Sequence, residues 1–430
     1  MTAIETTARN AGMGDIKRIL EDQRARRLDL VTTAPAFSAT ENGLLSVSPG
    51  EAVADRQGVA DASGLYRPTK VFDEGLAERL GIPGKWLSWT RENRPDIYAS
   101  TVNAMLHGGG DLILPDQADT DREPELQYPG NGGKHLLRLL RGDPGEEGVA
   151  RAMLSKNYRI NDSLDFLVAI VQGIGQAGVT VRPTYCDLSE RRMYVRFACP
   201  ELWAASPHWL QGYRPPFGEG GSRQRAGGPQ RIEPASDLWD GAHSWAETRG
   251  LEVGTVVGLG LVASNSDVGN GARFLAPQIR VVACRNGQTI TKDADRRVHL
   301  GSEMQEGVVA WSADTLDAEL DLVAGQTKDA VSGWLTQEYL DEEVAAVEAI
   351  AGHPIRNPET AVREIVTSAR FTQEAADDIL GLMIEGGQGA TAGALASAAT
   401  AYAQTVDSPE LAFELENSAF SLMEKAAARR

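Results

Sequence analysis

Hydrophobic positions along this chain follow two rhythms: steps of three and four residues toward both ends, and steps of two in the middle. Ile16, Ile19 and Leu20 stand at helical spacing among charges and predict an amphipathic helix from about Asp15 to Leu30. Residues 31–63 break into short extended pieces divided by Gly, Pro and Ser. Val71, Leu76 and Leu80 form the next helical stripe, which Gly81-Ile82-Pro83-Gly84 stops. A further helix is predicted from Asp96 to Leu106. Gly108 to Gly133, rich in acids, prolines and glycines, reads as a boundary.

Beyond it, Ser163–Ile174 carries a strong helical stripe, with Asn161 or Asp162 placed to cap it. In MYVRFACPEL, Tyr194, Arg196 and Ala198 alternate with Val195, Phe197 and Cys199, the period of a strand. Residues 211–235 hold six glycines, four prolines and four arginines, which predicts a flexible loop. LEVGTVVGLGLVAS and RFLAPQIRVVAC predict two strands joined by SNSDVGNG. In that polar segment Ser, Asn and Asp can bond their own backbone and the glycines accept positive φ. From about Thr315, the residues Leu316, Leu320, Val323, Val331, Leu335 and Leu340 begin a helical end that 390–404 and 409–426 continue. Strands separated by few helices predict an α+β fold: an antiparallel or mixed central sheet flanked by helices, with a helical C-terminal region. The expected division is 1–133, helical with short strands; 134–300, the α+β core; and 301–430, helical.

Charge sharpens this division. The chain of 430 residues has net charge −18. Residues 1–133 contribute −6, residues 134–300 contribute +4, and residues 301–430 contribute −16. Eighteen of the 21 cations in the middle are arginine. A basic centre beside an acidic end suits a polyanion-binding core with a solubilising or self-regulating part; solvated acidic helices would look the same. No apolar run reaches the roughly 18 residues of a membrane span. The N-terminal stretch has no secretory pattern. Cys186, Cys199 and Cys284 make a sparse, odd set that suits a reducing cytoplasm better than a disulfide scaffold.

Most catalytic patterns fail on spacing. YPGNGGKH echoes a phosphate loop through Gly133-Lys134, but Tyr128 and His135 stand where glycine and a magnesium-binding hydroxyl are required. Gly258 and Gly260 lack the third glycine of a dinucleotide fingerprint. Asp293 and Asp295 beside His299 could hold a cation, but a polar turn after a strand is the favoured reading. No GxSxG elbow is present. Cys199, inside an alternating strand, suits packing. No cofactor is implied.

The arginines remain. Arg191, Arg192 and Arg196 lie on or beside one strand; Arg273, Arg280, Arg285, Arg296 and Arg297 lie on or after another. Tyr158, Tyr185, Tyr194, Phe197 and Tyr213 are interleaved. Arginine fits phosphate bidentately and aromatic rings stack on bases, as single-strand binders require. Arg192, Tyr194 and Arg196 share one strand face, expected to be either open to a polyanion or simply solvated.

Several stretches resemble the phage- and plasmid-encoded family catalogued as "domain of unknown function 932". They are GLYRPTKVFDEGLAERLGIPGKWLSW with RPDIYASTVNAMLH; ARAMLSKNYRINDS, through Arg151, Leu154, Ser155, Tyr158, Arg159 and Asn161; and the turn Ser264, Asn265, Ser266, Asp267, Gly269 followed by Cys284, Asn286 and Gly287. RRVHLG, TAGALASAATAYAQ and FELENSAFSLM extend the likeness over roughly residues 15–425. Loop 211–235 looks like an insertion. The resemblance implies a mobile-element protein of a bacterial cytoplasm and supplies no reaction. By analogy of element order it leads on to Rad52-like single-strand annealing proteins.

The leading expectation is a binder of single-stranded DNA of the kind a strand-annealing recombination or replication factor would be, homo-oligomeric and not in a membrane. Its candidate contacts are Arg151, Lys156, Tyr158, Arg159, Arg191, Arg192, Tyr194, Arg196, Arg273, Arg280 and Arg285. One alternative is a nucleotide or small-molecule processing enzyme using Ser264–Gly271, with Asp267 or His299 as acid or base. The other is an acidic interaction or host-defence-modulating protein that acts through residues 301–430.

Overall fold

The computed structural model describes residues 4–48, 53–55, 58–60, 62–107, 134–156, 158, 160–214, 236–281, 289–290, 298–299 and 313–429. The expected boundary at 108–133, most of loop 211–235, Arg159, Arg285 and the Cys284–Gly287 motif lie outside these residues.

The N-terminal elements are β1 (Ala8–Ala11), α1 (Met13–Arg26), β2 (Arg27–Thr32), β3 (Phe37–Ala39), β4 (Leu45–Val47), β5 (Val53–Asp55), β6 (Gly58–Ala60), β7 (Gly64–Pro68), α2 (Lys70–Leu80), α3 (Gly84–Asn93) and α4 (Pro95–His107). The central ones are β8 (His135–Leu140), β9 (Gly148–Ser155), α5 (Ser163–Ala177), β10 (Arg182–Leu188), β11 (Met193–Ala205), α6 (Pro207–Leu210), α7 (Ser236–Glu247), β12 (Val256–Asn265), β13 (Phe274–Val281), β14 (Thr289–Ile290) and β15 (Val298–His299). Six helices close the chain: α8 (Ala313–Trp334), α9 (Gln337–Ala351), α10 (Pro358–Ser368), α11 (Gln373–Glu385), α12 (Ala392–Ala403) and α13 (Pro409–Ala428).

The expected α+β class is observed, with two main sheets. One is antiparallel, in the order β1-β10-β11-β12-β13-β14, with β15 also on β13. The other runs β2-β8-β9-β7-β4-β3 and is antiparallel except for the β7–β9 pair. Strands β8 and β9, encoded after residue 133, thus pair with β2 and β7, encoded before it. Strand β1 crosses the other way, to β10. The pairing disregards the boundary drawn from composition.

The first helix ends sooner than its stripe suggested. After Arg26 the period changes to two, with Leu28 and Leu30 buried, and β2 pairs with β8 in register Leu28↔Leu139 and Leu30↔Leu137. Burial against a neighbouring strand outweighs the helix propensity of RLDL. Helix α5 forms where expected, and the Asp162 side chain accepts from the Leu164 N–H as its cap.

Each sheet has its own core. Val195, Phe197, Leu259, Leu261, Leu275 and Ile279 belong to the larger, with α1, α5 and the C-terminal helices. Leu28, Leu137, Met153, Phe72 and Leu76 belong to the smaller. Helix α8 is seated on α5 at Gly173, where a Cβ would stand 2.4 Å from the Ala324 carbonyl oxygen and 2.6 Å from Thr327 Cβ. Gly173→Ala is therefore expected to destabilise the protein by about 1–3 kcal/mol through overpacking. Urea unfolding checks this; an unchanged midpoint would mean that α8 is not seated there.

Candidate functional site

The strands around SNSDVGNG form as predicted, and the turn does more than reverse the chain. Tyr194, Ser264 and Phe274 lie in one row across β11, β12 and β13. Ser266 Oγ donates to the Arg191 carbonyl at 2.7 Å and accepts from the Asn270 N–H at 2.9 Å. Gly269 and Gly271 take φ of 84° and 93°, the left-handed region that favours glycine. Asn265 Nδ2 reaches the Asn161 carbonyl and Ser163 Oγ, tying the turn to the start of α5.

Asp267 leaves the turn toward the smaller sheet. Arg151 of β9 grips its carboxylate with two parallel bonds of 2.8 Å. Arg138 of β8 donates to its carbonyl and lies 3.5 Å from its carboxylate. Arg138 also bonds Asp29 of β2 at 2.9 Å. Arg27 continues the network to Asp162 at 2.5 Å, and Arg24 to Asp165. Four arginines thus face four aspartates in a network that joins both sheets and α5. Burial works to raise the Asp267 pKa, but Arg151 and Arg138 overcome it and hold the carboxyl below its ordinary value. Such a carboxylate stays ionised near neutral pH, which disfavours Asp267 as a general acid, and the Arg151 fork occupies both of its oxygens.

Tyr194 and Arg196 do share a face, as their alternation predicted, but that face is neither open nor solvated. Helix α13 covers it. Phe413 lies 4.7 Å from the Tyr194 ring and 5.4 Å from that of Phe274. Arg196, 1% exposed, pairs with Glu416 at 2.8 Å and Asp187 at 2.7 Å, and sits 4.6 Å over the Tyr185 ring. Arg9 holds the other side of Asp187 at 2.6 Å. Burial raises the Asp187 pKa, yet Arg196 and Arg9 carry it below the usual value. Arg273 is buried against Glu319 of α8 at 2.5 Å. Arg151, Arg196 and Arg273 therefore have internal partners, which corrects the expectation that they meet a polyanion.

Of the remaining candidates, Tyr158, Arg191 and Arg192 lie at the rim of the turn. Lys156 is exposed. Tyr158 is half-buried beside Gly269, and burial raises its pKa. Arg191 bonds Asn270 Oδ1 at 3.1 Å and pairs with Glu74 of α2. Arg192 bonds Ser264 Oγ and the carbonyls of Asn270 and Ala272, with its guanidinium 5.5 Å over the Phe274 ring. Arg280 lies six residues further along β13.

Reading by sequence missed Arg24, Arg27, Arg138, Asp29 and Asp165, and took Asp162 only as a helix cap and Asp267 only as an acid or base. The available signal was Arg138 itself, a charge inside the apolar run HLLRLL, which implies a buried partner. Asp293 and Asp295 lie outside the described residues, among which no three His, Cys, Asp or Glu side chains group as metal ligands. Cys199 is buried in the sheet, and burial pushes its thiol pKa up. Among the described residues no helix is long and apolar enough to cross a membrane. No family model matches the chain, and no curated protein or solved structure matches it either.

Asp267→Asn leaves Arg151 and Arg138 underpaired and is expected to cost about 3–5 kcal/mol at pH 7. The folded pKa of Asp267 lies below the unfolded value of about 3.9, so its contribution is complete above that value and fades as pH falls through the folded pKa. Urea unfolding should show the gap between wild type and variant narrowing below about pH 4. A gap independent of pH would contradict this assignment.

Proposed function

We propose that this chain binds single-stranded nucleic acid at the rim of the 264–271 turn. Lys156, Arg191 and Arg192 take backbone phosphates, and Tyr158 offers a ring to a base. The observation that carries the reading is convergence. The connector after β9 and the β10–β11 hairpin bring Tyr158, Arg191 and Arg192 to one turn, although they come from separate parts of the chain, and Lys156 is exposed two residues before Tyr158. The Arg191–Glu74 pair is partly exposed, and a solvent-accessible pair holds by no more than about 1 kcal/mol, so phosphate can replace the carboxylate. The buried pairs of Arg151, Arg196 and Arg273 offer no such exchange.

The arginine-rich middle and the resemblance to the phage and plasmid family support the same reading, as does the analogy to strand-annealing proteins. Homo-oligomerisation belongs to the proposal, with exposed Val168 and Val171 of α5 and Leu322 of α8 as its apolar surface. The acidic C-terminal region has a narrower role than partner capture. Glu319 and Glu416 serve as counter-charges to the sheet's own arginines.

Fluorescence anisotropy with labelled single-stranded and duplex oligonucleotides tests the proposal. Three phosphate contacts predict binding near 50 mM salt and a slope of log K on log salt of about −2. Lys156→Glu combined with Arg191→Gln should weaken single-strand binding by about tenfold or more. Absence of binding at low salt would reject the reading.

A further inference from the structure

Arg280 departs from the pattern of the other sheet arginines. It lies on the Arg196 face of β13, opposite Gly258 of β12 on one side and Thr289 of β14 on the other. Its Nε is sealed from solvent and has no acceptor. The hydroxyl of Thr289, a fully buried residue, also has no partner. Among the described residues no carboxylate pairs with Arg280. Glu416 is close enough to act on its charge, but that carboxylate already serves Arg196 and Tyr185. Burial lowers the Arg280 pKa, and the charge of Arg196 adds to the effect, whereas Arg138 and Arg196 are both shifted upward.

The backbone makes room for this side chain. At Gly260 a Cβ would come within 3.0 Å of Arg280 Cδ and 2.3 Å of the Phe197 carbonyl oxygen. The residue nevertheless remains partly exposed, so solvent reaches part of it. A half-buried guanidinium without a counter-charge is costly unless something anionic completes it. The guanidinium fork matches two oxygens of a phosphate, and an adjacent hydroxyl supplies a further donor.

We propose that Arg280 and Thr289 form an anion site that takes a phosphate group. The site goes beyond the nucleic-acid reading and does not depend on it. Arg280 stands six residues along β13 from Phe274, roughly 20 Å at the rise of a strand. The ligand is a phosphate, either free or carried as an ester.

Isothermal titration of inorganic phosphate into the full-length protein, at constant ionic strength, tests the site. Wild type should bind saturably. Arg280→Met should weaken binding by about tenfold or more and Thr289→Val by about threefold, with Arg280→Lys between wild type and Arg280→Met. Without phosphate, Arg280→Met should unfold at the same denaturant concentration as wild type or a higher one, because no internal partner is lost. Equal affinity in wild type and Arg280→Met would overturn the proposal. So would the absence of saturation up to about 50 mM phosphate. A folding defect in Arg280→Met would show an internal counter-charge and overturn it as well. Oligothymidylate without a terminal phosphate separates the two sources. Loss of its binding in Arg280→Met assigns the site to a strand phosphodiester; loss of phosphate binding alone assigns it to a free phosphate or monoester. Variants of Lys156 and Arg191 should leave phosphate affinity unchanged, so failure at the rim and failure at Arg280 are distinguishable.

Discussion

Each guanidinium buried in these sheets meets a carboxylate, and for each at least one such carboxylate comes from another layer. Arg138 meets Asp29 and Asp267, Arg151 meets Asp267, Arg196 meets Glu416 and Asp187, and Arg273 meets Glu319. The pairs with Asp267, Glu416 and Glu319 span elements distant in sequence and set the position of a turn or helix relative to a sheet, whereas Asp29 and Asp187 answer from neighbouring strands. Breaking such a pair leaves a charge stranded in a medium that solvates it poorly. Apolar packing supplies the cohesion of the two cores; the charge pairs fix which surfaces meet.

Two carboxylates of the acidic end answer arginines of the basic middle. Helix α13 brings Glu416 and Phe413, three residues apart, onto the arginine–tyrosine face of the larger sheet. Helix α8 brings Glu319 to Arg273. Arg280 is a sheet arginine that no carboxylate among the described residues pairs with.

The parts legible in the sequence were the local ones. The cap and stripe of α5, the alternation of β11 and the turn after β12 each depend on neighbours within a few residues. The pairing of β8 and β9 with β2 and β7 depends on partners across the boundary, which periodicity does not encode. The fate of Arg196 was least legible. Alternation placed it on the correct face, but what covers that face is a helix 220 residues away. Arg138 was the exception to this rule, since a cation in an apolar strand announces its need for a carboxylate without naming it.

The central claim is that acidic residues of the C-terminal helices neutralise buried arginines of the larger sheet. A double-mutant cycle on Arg196 and Glu416, with Arg196→Met and Glu416→Gln alone and together, measures it most directly. The account predicts a coupling of about 2–3 kcal/mol in urea unfolding, because each single change strands the other charge. A coupling below about 0.5 kcal/mol, as for a solvated surface pair, would contradict it.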